Sequence, residues 1–508
     1  MALPPPPPPP RARRSLYQQP PYYQQPPPRR RRGFPCVIVA VLLVGVLAIG
    51  GVAGYRVVGF LQSVLNGGNP VQILQQQLDP PAGSIAYKIK HGQRINVLAL
   101  GYGGPENDAP YLTDSIMAVS IDPVTKRVVE ISVPRDLYVR IDAWQDGRKY
   151  TEKINAAFEV PNMPRAFGPG PLKPAYTGKD GAGHLAEAVV GGLTGLSFDR
   201  YAAVDFKAFR TVVDALGGIT VHMDGPLDDC HYPDYHNGYV NHGVPVGRRC
   251  PPGAGIHFQA GTYTVSGEQA LQIARSRDAI EPEQATDFAR AKRQQMIISG
   301  IKAKAVSVNG LARAPQLMDA VQADFKTDMD VNDVTALYNL LGHLPDSSIQ
   351  HFAITDQNLV VDVNGTGGDC GGPRGAFVLC PVDSTYHVWQ TVFGQLPLPS
   401  PLLAEKAPVQ LVNASRNTVD LQQRTTDTLR QMGLNVSDGA RHAALLQSTV
   451  VDYSGGKYPQ TAAWLKDFFG ANVVPAASAG ITPAPGQQTD GLVVVMGSDY
   501  ARRWIGQG

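Results

Sequence analysis

Apolar and polar positions along this chain follow three patterns, and each marks a different kind of element. Ile95–Leu100, Ser115–Ile121 and Arg127–Val133 are short runs rich in β-branched and aliphatic residues, and Asp122-Pro123-Val124-Thr125-Lys126 makes a turn between the last two. They predict three strands, with an antiparallel pair in the middle of a sheet. Helical spacing predicts helices over Gly183–Leu193, over Phe206–Leu216 ending at Gly217-Gly218, and over Gln269–Ala274 behind a capping box of Ser266 and Gln269. Short strands at Tyr201–Val204 and Ile219–His222 fall between them. This interleaving predicts an α/β fold with a mixed central sheet flanked by helices, not a β-sandwich. The alternating leucines and prolines near 396–407 read as a stiff linker. Strands at Val409–Val412, Val450–Tyr453 and Gly491–Met496, with helices at Thr418–Met432 and Tyr458–Phe469, then make a small second α/β domain.

The third pattern is a continuous apolar run. From Cys36 to Tyr55 about twenty residues carry no charge, enough helix to cross a hydrocarbon core of about 30 Å. Arg29–Arg32 precede it and only Arg56 closely follows, so the positive-inside rule places the N-terminus in the cytoplasm and the rest of the chain outside. A cleaved signal peptide is the competing reading, but its apolar stretch usually runs to only about 7–15 residues. The expected organisation is a Pro/Arg-rich cytoplasmic tail at 1–34, a transmembrane helix at 35–59, a polar stalk at 60–93, a first domain at 94–395, the linker at 396–407 and the second domain at 408–500. Composition alone names no cytoplasmic partner for the proline-rich tail, though such tracts suit partner docking.

Charge adds locality. The 508-residue chain has a net charge of +2, which gives no support to nucleic-acid binding, yet seven arginines lie before Phe34. The cysteines agree with export. Cys230 and Cys250, and Cys370 and Cys380, fall as two loop pairs in the exported part, where disulfides persist; four cysteines allow three connectivities. His231, His236 and His242 beside Cys230 lack the regular ligand spacing of a zinc site.

Candidate chemistry gathers at element ends, where α/β folds hold ligands. The segments are Thr113-Asp114-Ser115, Arg135-Asp136, Lys153-Ile154-Asn155, Arg275-Ser276-Arg277, and the stretch from Asp287 to Gln295. With Asp287 as N-cap, Arg290, Gln294, Ile297 and Ile301 share one helical face, with Arg293 beside them. That face grades from cationic to oily, which suits an amphiphile with a phosphate head and a hydrocarbon tail. Arginine forks match phosphate oxygens, and Asp114 and Asp136 offer oxygen ligands to a hard cation. For each residue the plainer reading is a solvated or paired surface charge.

At this point the chain resembles the LytR-CpsA-Psr proteins. The similarity runs from Leu98 to about Leu396, through TDSIMAVSIDP, ISVPRDLYVRI, KINAAF, VDFKAFRTVVDALGGI, GEQALQIARSR and DFARAKRQQ in order. The part after the linker, beginning VQLVNAS, is similar to the LytR C-terminal domain of many members. The resemblance implies a phosphotransferase outside the cytoplasmic membrane, which moves a glycan polymer from a polyprenyl pyrophosphate carrier to a peptidoglycan hydroxyl. By motif, Asp114 would bind Mg²⁺ or Mn²⁺. Arg135, Lys153, Arg275, Arg277, Arg290, Gln294 and, less directly, Arg293 would hold the pyrophosphate. Asp136 would orient Arg135 or assist proton removal, which makes Arg135, Asp136 and Arg275 the expected catalytic set. Members often carry a second metal-binding Asp after the first strand. Here that position is a glycine in Gly101-Tyr102-Gly103-Gly104, so either Asp108 or Glu106 would supply the carboxylate, Asp108 before Glu106, or the glycine amides would contact phosphate directly. The rival readings are a polyprenyl-pyrophosphate hydrolase and a non-catalytic wall-binding adaptor.

Overall fold

The computed structural model describes residues 80–504 apart from 106, 108, 149, 231, 233–254, 277–278, 286, 306–324, 342–343, 364–369, 374–376, 417–419 and 480–489. The side chains of 287, 288, 290, 291, 294, 295, 298, 302, 305, 331, 338 and 346 are also outside the description. The tail, the apolar span and most of the stalk therefore lie outside the described residues. Among those described, no helix is long and apolar enough to cross a membrane.

In the first lobe the strands labelled here are β1 (Ile95–Tyr102), β2 (Thr113–Asp122), β3 (Arg127–Val133), β4 (Tyr138–Ile141), β5 (Tyr150–Lys153), β6 (Arg200–Asp205), β7 (Phe325–Thr327), β8 (Ile349–Ala353), β9 (Val360–Asp362) and β10 (Leu379–Pro381), and two small ribbons pair Ile219–Met223 with Gly261–Val265 and Leu227–Asp229 with Ile256–Phe258. Its principal helices are α1 (Gly181–Thr194), α2 (Phe206–Ala215), α3 (Gly267–Arg275), α4 (Asp287–Ala305) and α5 (His387–Gly394). Six strands form one sheet in the order β7-β6-β1-β2-β3-β8. The pairs β1–β2 and β2–β3 are antiparallel, whereas β1–β6 and β3–β8 are parallel, so the sheet is mixed, as the interleaved pattern predicts.

Both faces of the sheet are covered, which explains why β1 is apolar almost throughout. Leu98, Leu100 and Tyr102 pack with Tyr201 on one side, and Val97 and Ala99 pack with Ala202 and Val204 on the other. Local chemistry fixes the helix ends. The Asp205 side chain accepts the Ala208 amide at the start of α2, and the Ser266–Gln269 capping box opens α3. The left-handed backbone at Gly217 and Gly218 ends the α2 segment where only glycine is unstrained.

One half-buried pair ties the edge strand β8 to its neighbour β3. Glu130 of β3 lies opposite His351 of β8, with His351 Nδ1 2.8 Å from Glu130 Oε2. The bond to Glu130 raises the His351 pKa above its ordinary value, against the opposing effect of burial. The stability this contributes is complete below the unfolded value of about 6.5 and is lost as pH rises through the higher folded value. Urea unfolding between pH 6 and 9 is therefore expected to show stability falling with pH, and His351→Gln should flatten that component. An unchanged slope in the variant would rule the pair out as its source.

The second lobe carries β11 (Pro408–Asn413), α6 (Leu421–Gln431), β12 (Asn435–Asp438), β13 (Thr449–Asp452), β14 (Asn472–Pro475) and β15 (Leu492–Met496). These strands form a sheet in the order β12-β11-β15-β13-β14, with β13 antiparallel to β15 and the other neighbours parallel. The segment read as a stiff linker is packed. Leu396, Leu398, Leu402 and Ala407 are buried, and Ser400–Ala404 form a helical turn. Helix α6 then docks on the first lobe. Gln431 Oε1 accepts the Ala353 amide at 2.6 Å. Asp427 Oδ2 accepts from Asn358 at 2.9 Å, and Arg424 donates to the carbonyls of Asn358 and Val360 at 3.1 and 2.8 Å.

The disulfide Cys370–Cys380 is formed, with Cys380 in the middle of β10. Cys230 is also disulfide-bonded, while Cys250 lies outside the described residues.

Candidate active site

The sheet brings three of the sequence segments to one end. Asp114 opens β2, Arg135 and Asp136 follow β3, and Lys153 closes β5. The backbone locks them together. The Ile154 amide donates to the Leu137 carbonyl at 2.7 Å, and Asn155 donates to Arg135 at 3.4 Å. The Asn155 carbonyl in turn accepts from both the amide and the hydroxyl of Thr113, each at 3.3 Å. On the other side, the Leu379 amide of β10 holds the Asp136 carbonyl at 3.0 Å.

The side chains form a chain of alternating charge. The Arg135 guanidinium donates to Asp114 Oδ1, its Nε lies 3.5 Å from Asp136 Oδ2, and Lys153 Nζ donates to Asp136 Oδ1 at 2.7 Å. Burial works against the Arg135 cation, but Asp114 and then Asp136 outweigh it and hold its pKa above the ordinary value. Its side chain keeps 39% of its surface exposed, enough to meet a ligand. Arginine, fully charged and aimed by two carboxylates, is thus poised for an anion. Asp114 is similarly exposed, and its Oδ2 has no hydrogen bond among the described residues. That donor set suits a hard cation that takes one carboxylate and fills its remaining positions with substrate oxygens and water.

Arg275 closes α3, with its guanidinium 4.2 Å from the centroid of Phe206, the first residue of α2. Phe206 follows Asp205, which faces Tyr102 across the β6–β1 pair, and Tyr102 faces Thr113 across β1–β2. Arg275 therefore stands at the same end of the sheet as Arg135.

A model described as the LytR_cpsA_psr family matches residues 64–367. The chain belongs to the LytR_cpsA_psr family. It is similar to the polyisoprenyl-teichoic acid–peptidoglycan teichoic acid transferase TagV of Bacillus subtilis, 26% identical over 254 residues, covering 50% of this chain and 54% of that protein. It is also similar to the transferase TagU of Bacillus anthracis, named in the same terms, 25% identical over 290 residues, covering 56% of this chain and 77% of that one. The chain thus spans only about half the length of the B. subtilis relative. The crystal structure of B. subtilis TagV aligns with 21% identity and a TM-score of 0.40 over 60% of this chain and 97% of that one, a match that supports no further conclusion.

Among the other residues marked in this family member, Arg277 and Asp108 lie outside the described residues, as does Glu106. Arg290 and Gln294 lie on α4, but their side chains are outside the description. Helix α4 is described from Asp287 to Ala305, and the side chain of Asp287 lies outside the description. Ile297 and Ile301 are buried, as the apolar end of that face predicts.

Arg293 is a correction. It is 4% exposed and donates to the carbonyls of Ile273, Gln284 and Ser276 and to Gln284 Oε1, at 2.8–3.0 Å. Its charge-assisted bonds staple α4 to the end of α3 and the segment after it, so it supports the Arg275 region and does not face a phosphate.

Two residues near the site escaped the sequence reading. Asp205 is buried at the end of β6, and a Cβ on Gly104, which has φ of 83°, would meet its Oδ2 at 2.9 Å. The glycine loop therefore passes against a buried carboxylate. Lys326 of β7 has its Nζ 5.0, 5.7 and 5.9 Å from the ring centroids of Tyr111, Phe158 and Tyr102 and donates to Asn162 Oδ1 at 3.2 Å. Burial lowers its pKa against the pull of Asp205. An aspartate directly before the α2 sequence was a visible signal for the first; a three-residue edge strand gave none for the second.

Proposed function

We propose that the chain transfers a glycan polymer from a polyprenyl-pyrophosphate carrier to a peptidoglycan hydroxyl, forming a phosphodiester in the wall. The observation that carries this is the interlocked Asp114–Arg135–Asp136–Lys153 cluster at the sheet end, in a member of a family whose curated relatives are named as teichoic acid transferases.

In this reading the wall oxygen bonds to the phosphorus nearer the glycan, and the bond from that phosphorus to the bridging oxygen breaks. Polyprenyl phosphate leaves, and the hydroxyl proton passes to Asp136 or to solvent. Arg135 and Lys153 stabilise the charge that grows on the phosphoryl and leaving oxygens, and positioning supplies most of the rate. Asp136, bonded to both cations, fits an orienting role for Arg135. Arg275 holds the far side of the pyrophosphate. Asp114 is the residue to hold Mg²⁺ or Mn²⁺, which would neutralise phosphate charge when bound.

The wider assignments follow from the same proposal. Residues 35–59 anchor the chain as a single-pass membrane protein with its N-terminus in the cytoplasm, residues 60–93 raise the catalytic lobe beside the carrier lipid, and 408–500 form a LytR C-terminal-like domain. The test uses the purified full-length chain in detergent with a prenyl-pyrophosphate-linked glycan and a divalent cation, with and without peptidoglycan. Transfer is expected to need the acceptor. Release of polyprenyl phosphate at the same rate without it would instead make the protein a hydrolase.

A further inference from the structure

A second cluster of metal-ligating side chains lies away from this site. His184 and Glu187 are three residues apart on α1 and so share one face, and Asp328 directly follows β7. One ligand atom of each lies within 4.8 Å of the others. We propose that His184, Glu187 and Asp328 bind a divalent transition-metal ion of the zinc type, separate from the pyrophosphate site.

Several features aim these groups at one point. Gly183 lets α1 sit hard against β6, because a Cβ there would fall 2.3 Å from Tyr201 Cε1. Tyr201 in turn places Asp328, whose Oδ1 accepts the Tyr201 amide at 2.8 Å. That leaves Oδ2 turned towards His184, 4.0 Å from its Nε2. The His184 ring stands edge-on to the Tyr201 ring, with centroids 6.3 Å apart. The decisive atom is Glu187 Oε1, which is shut off from solvent and has no hydrogen-bond partner among the described residues. A buried carboxylate oxygen left so costs free energy unless something meets it.

Local charge points the same way. Asp180 and Asp199 stand close enough to act on Glu187 along with Asp328. Arg200 offsets part of this charge on Glu187 and Asp328 while donating to Asp333 Oδ2 at 2.5 Å, and Lys88 pairs with Asp199. Burial, with Asp328 next, pushes the Glu187 carboxyl up to about 8, so a proton is the competing occupant at neutral pH.

One imidazole and two carboxylates form a nitrogen–oxygen set that suits zinc better than the all-oxygen ions. Three protein ligands leave the fourth tetrahedral position to water. At metal–ligand distances of about 2.0–2.1 Å the donors would stand roughly 3.3 Å apart, so a rotation of the half-exposed His184 side chain would close the set. The site is not the catalytic one. Tyr201 lies four residues before Asp205 along β6, roughly 13 Å from the end of the sheet that holds Arg135. A bound ion would tie α1 to the β6–β7 edge.

The test takes the full-length chain in detergent, stripped with a chelator, and titrates it with Zn²⁺ alone against a chromophoric competitor, while thermal unfolding is followed with and without the ion. The wild type is expected to bind zinc and melt at a higher temperature with it. Glu187→Gln and His184→Ala should each weaken that binding by about tenfold or more and remove the thermal shift. Glu187→Gln keeps the shape of the buried group, and near-UV circular dichroism confirms the fold in both. If the wild type takes up no zinc, or both folded variants bind it as tightly as the wild type, the assignment is wrong.

Discussion

Arg135→Ala is expected to lower polymer transfer by roughly 10²–10³-fold, the usual effect of removing one preorganised donor to a developing oxyanion. The loss should fall on kcat more than on KM, because Lys153 and Arg275 still attract the pyrophosphate. The guanidinium is 39% exposed and belongs to no core, so the fold should survive. Its removal leaves Asp114 open to water and Asp136 still bonded to Lys153. Arg135→Lys separates charge from shape. A lysine restores the positive charge but cannot reach Asp114 and Asp136 with one planar fork, so it should recover only part of the rate. Transfer assays with the carrier-linked glycan and peptidoglycan, with circular dichroism on each variant, check this. Activity of Arg135→Ala within threefold of the wild type would remove Arg135 from the chemistry and favour an adaptor reading.

The site was more legible in the sequence than the way it is held. Asp114 lies at the start of an apolar strand, Arg135 and Asp136 follow one, and Lys153 shortly precedes a helix, and such positions cluster once the elements pack. Arg293 was misjudged for a physical reason. On a helical wheel it looks like another cation, and the acceptors that bury it are mainly backbone carbonyls of Ile273, Gln284 and Ser276, which have no signature in a sequence. Strand β8 was missed because Gln350 and His351 break its apolar pattern; the half-exposed His351 meets buried Glu130. The ribbon β4–β5 is too polar to register, as Tyr150, Thr151, Glu152 and Lys153 show. The leucine–proline segment was read for its stiffness, when its leucines serve as core. Local pattern reported elements with a caps-and-alternation signal, and tertiary contacts decided the rest.

Trp389→Ala is expected to destabilise the protein by about 3–5 kcal/mol, the usual cost of deleting a buried aromatic side chain. Trp389 is fully buried on α5, its indole donates to the Leu359 carbonyl at 3.2 Å, and its ring stands edge-on to Tyr386 and Phe393 at 6.3 and 6.2 Å. Phe393 continues the contact to Phe352 of β8, with centroids 5.2 Å apart. On either side of Leu359, the carbonyls of Asn358 and Val360 are held by Arg424 from the second lobe. Truncation therefore opens a cavity, removes one of the two donors to the Leu359 carbonyl, which keeps the Val382 amide at 3.0 Å, and loosens the loop that α6 grips. The same apolar cluster runs from Leu100 and Ile131 through Trp389 and Leu402 to Leu411, Leu429 and Val494, so the damage should not stay in one lobe. Hydrogen exchange during thermal unfolding should show β2 and β15 losing protection together, at a lower temperature than in the wild type. If β15 kept its wild-type transition while β2 melted early, the two sheets would be independent units that merely touch, and the second lobe could be removed without cost to the catalytic one. A shared transition means the opposite: the lobe beyond Leu396 is part of what keeps Arg135 and Asp136 in place, through Leu379 and the strand it begins.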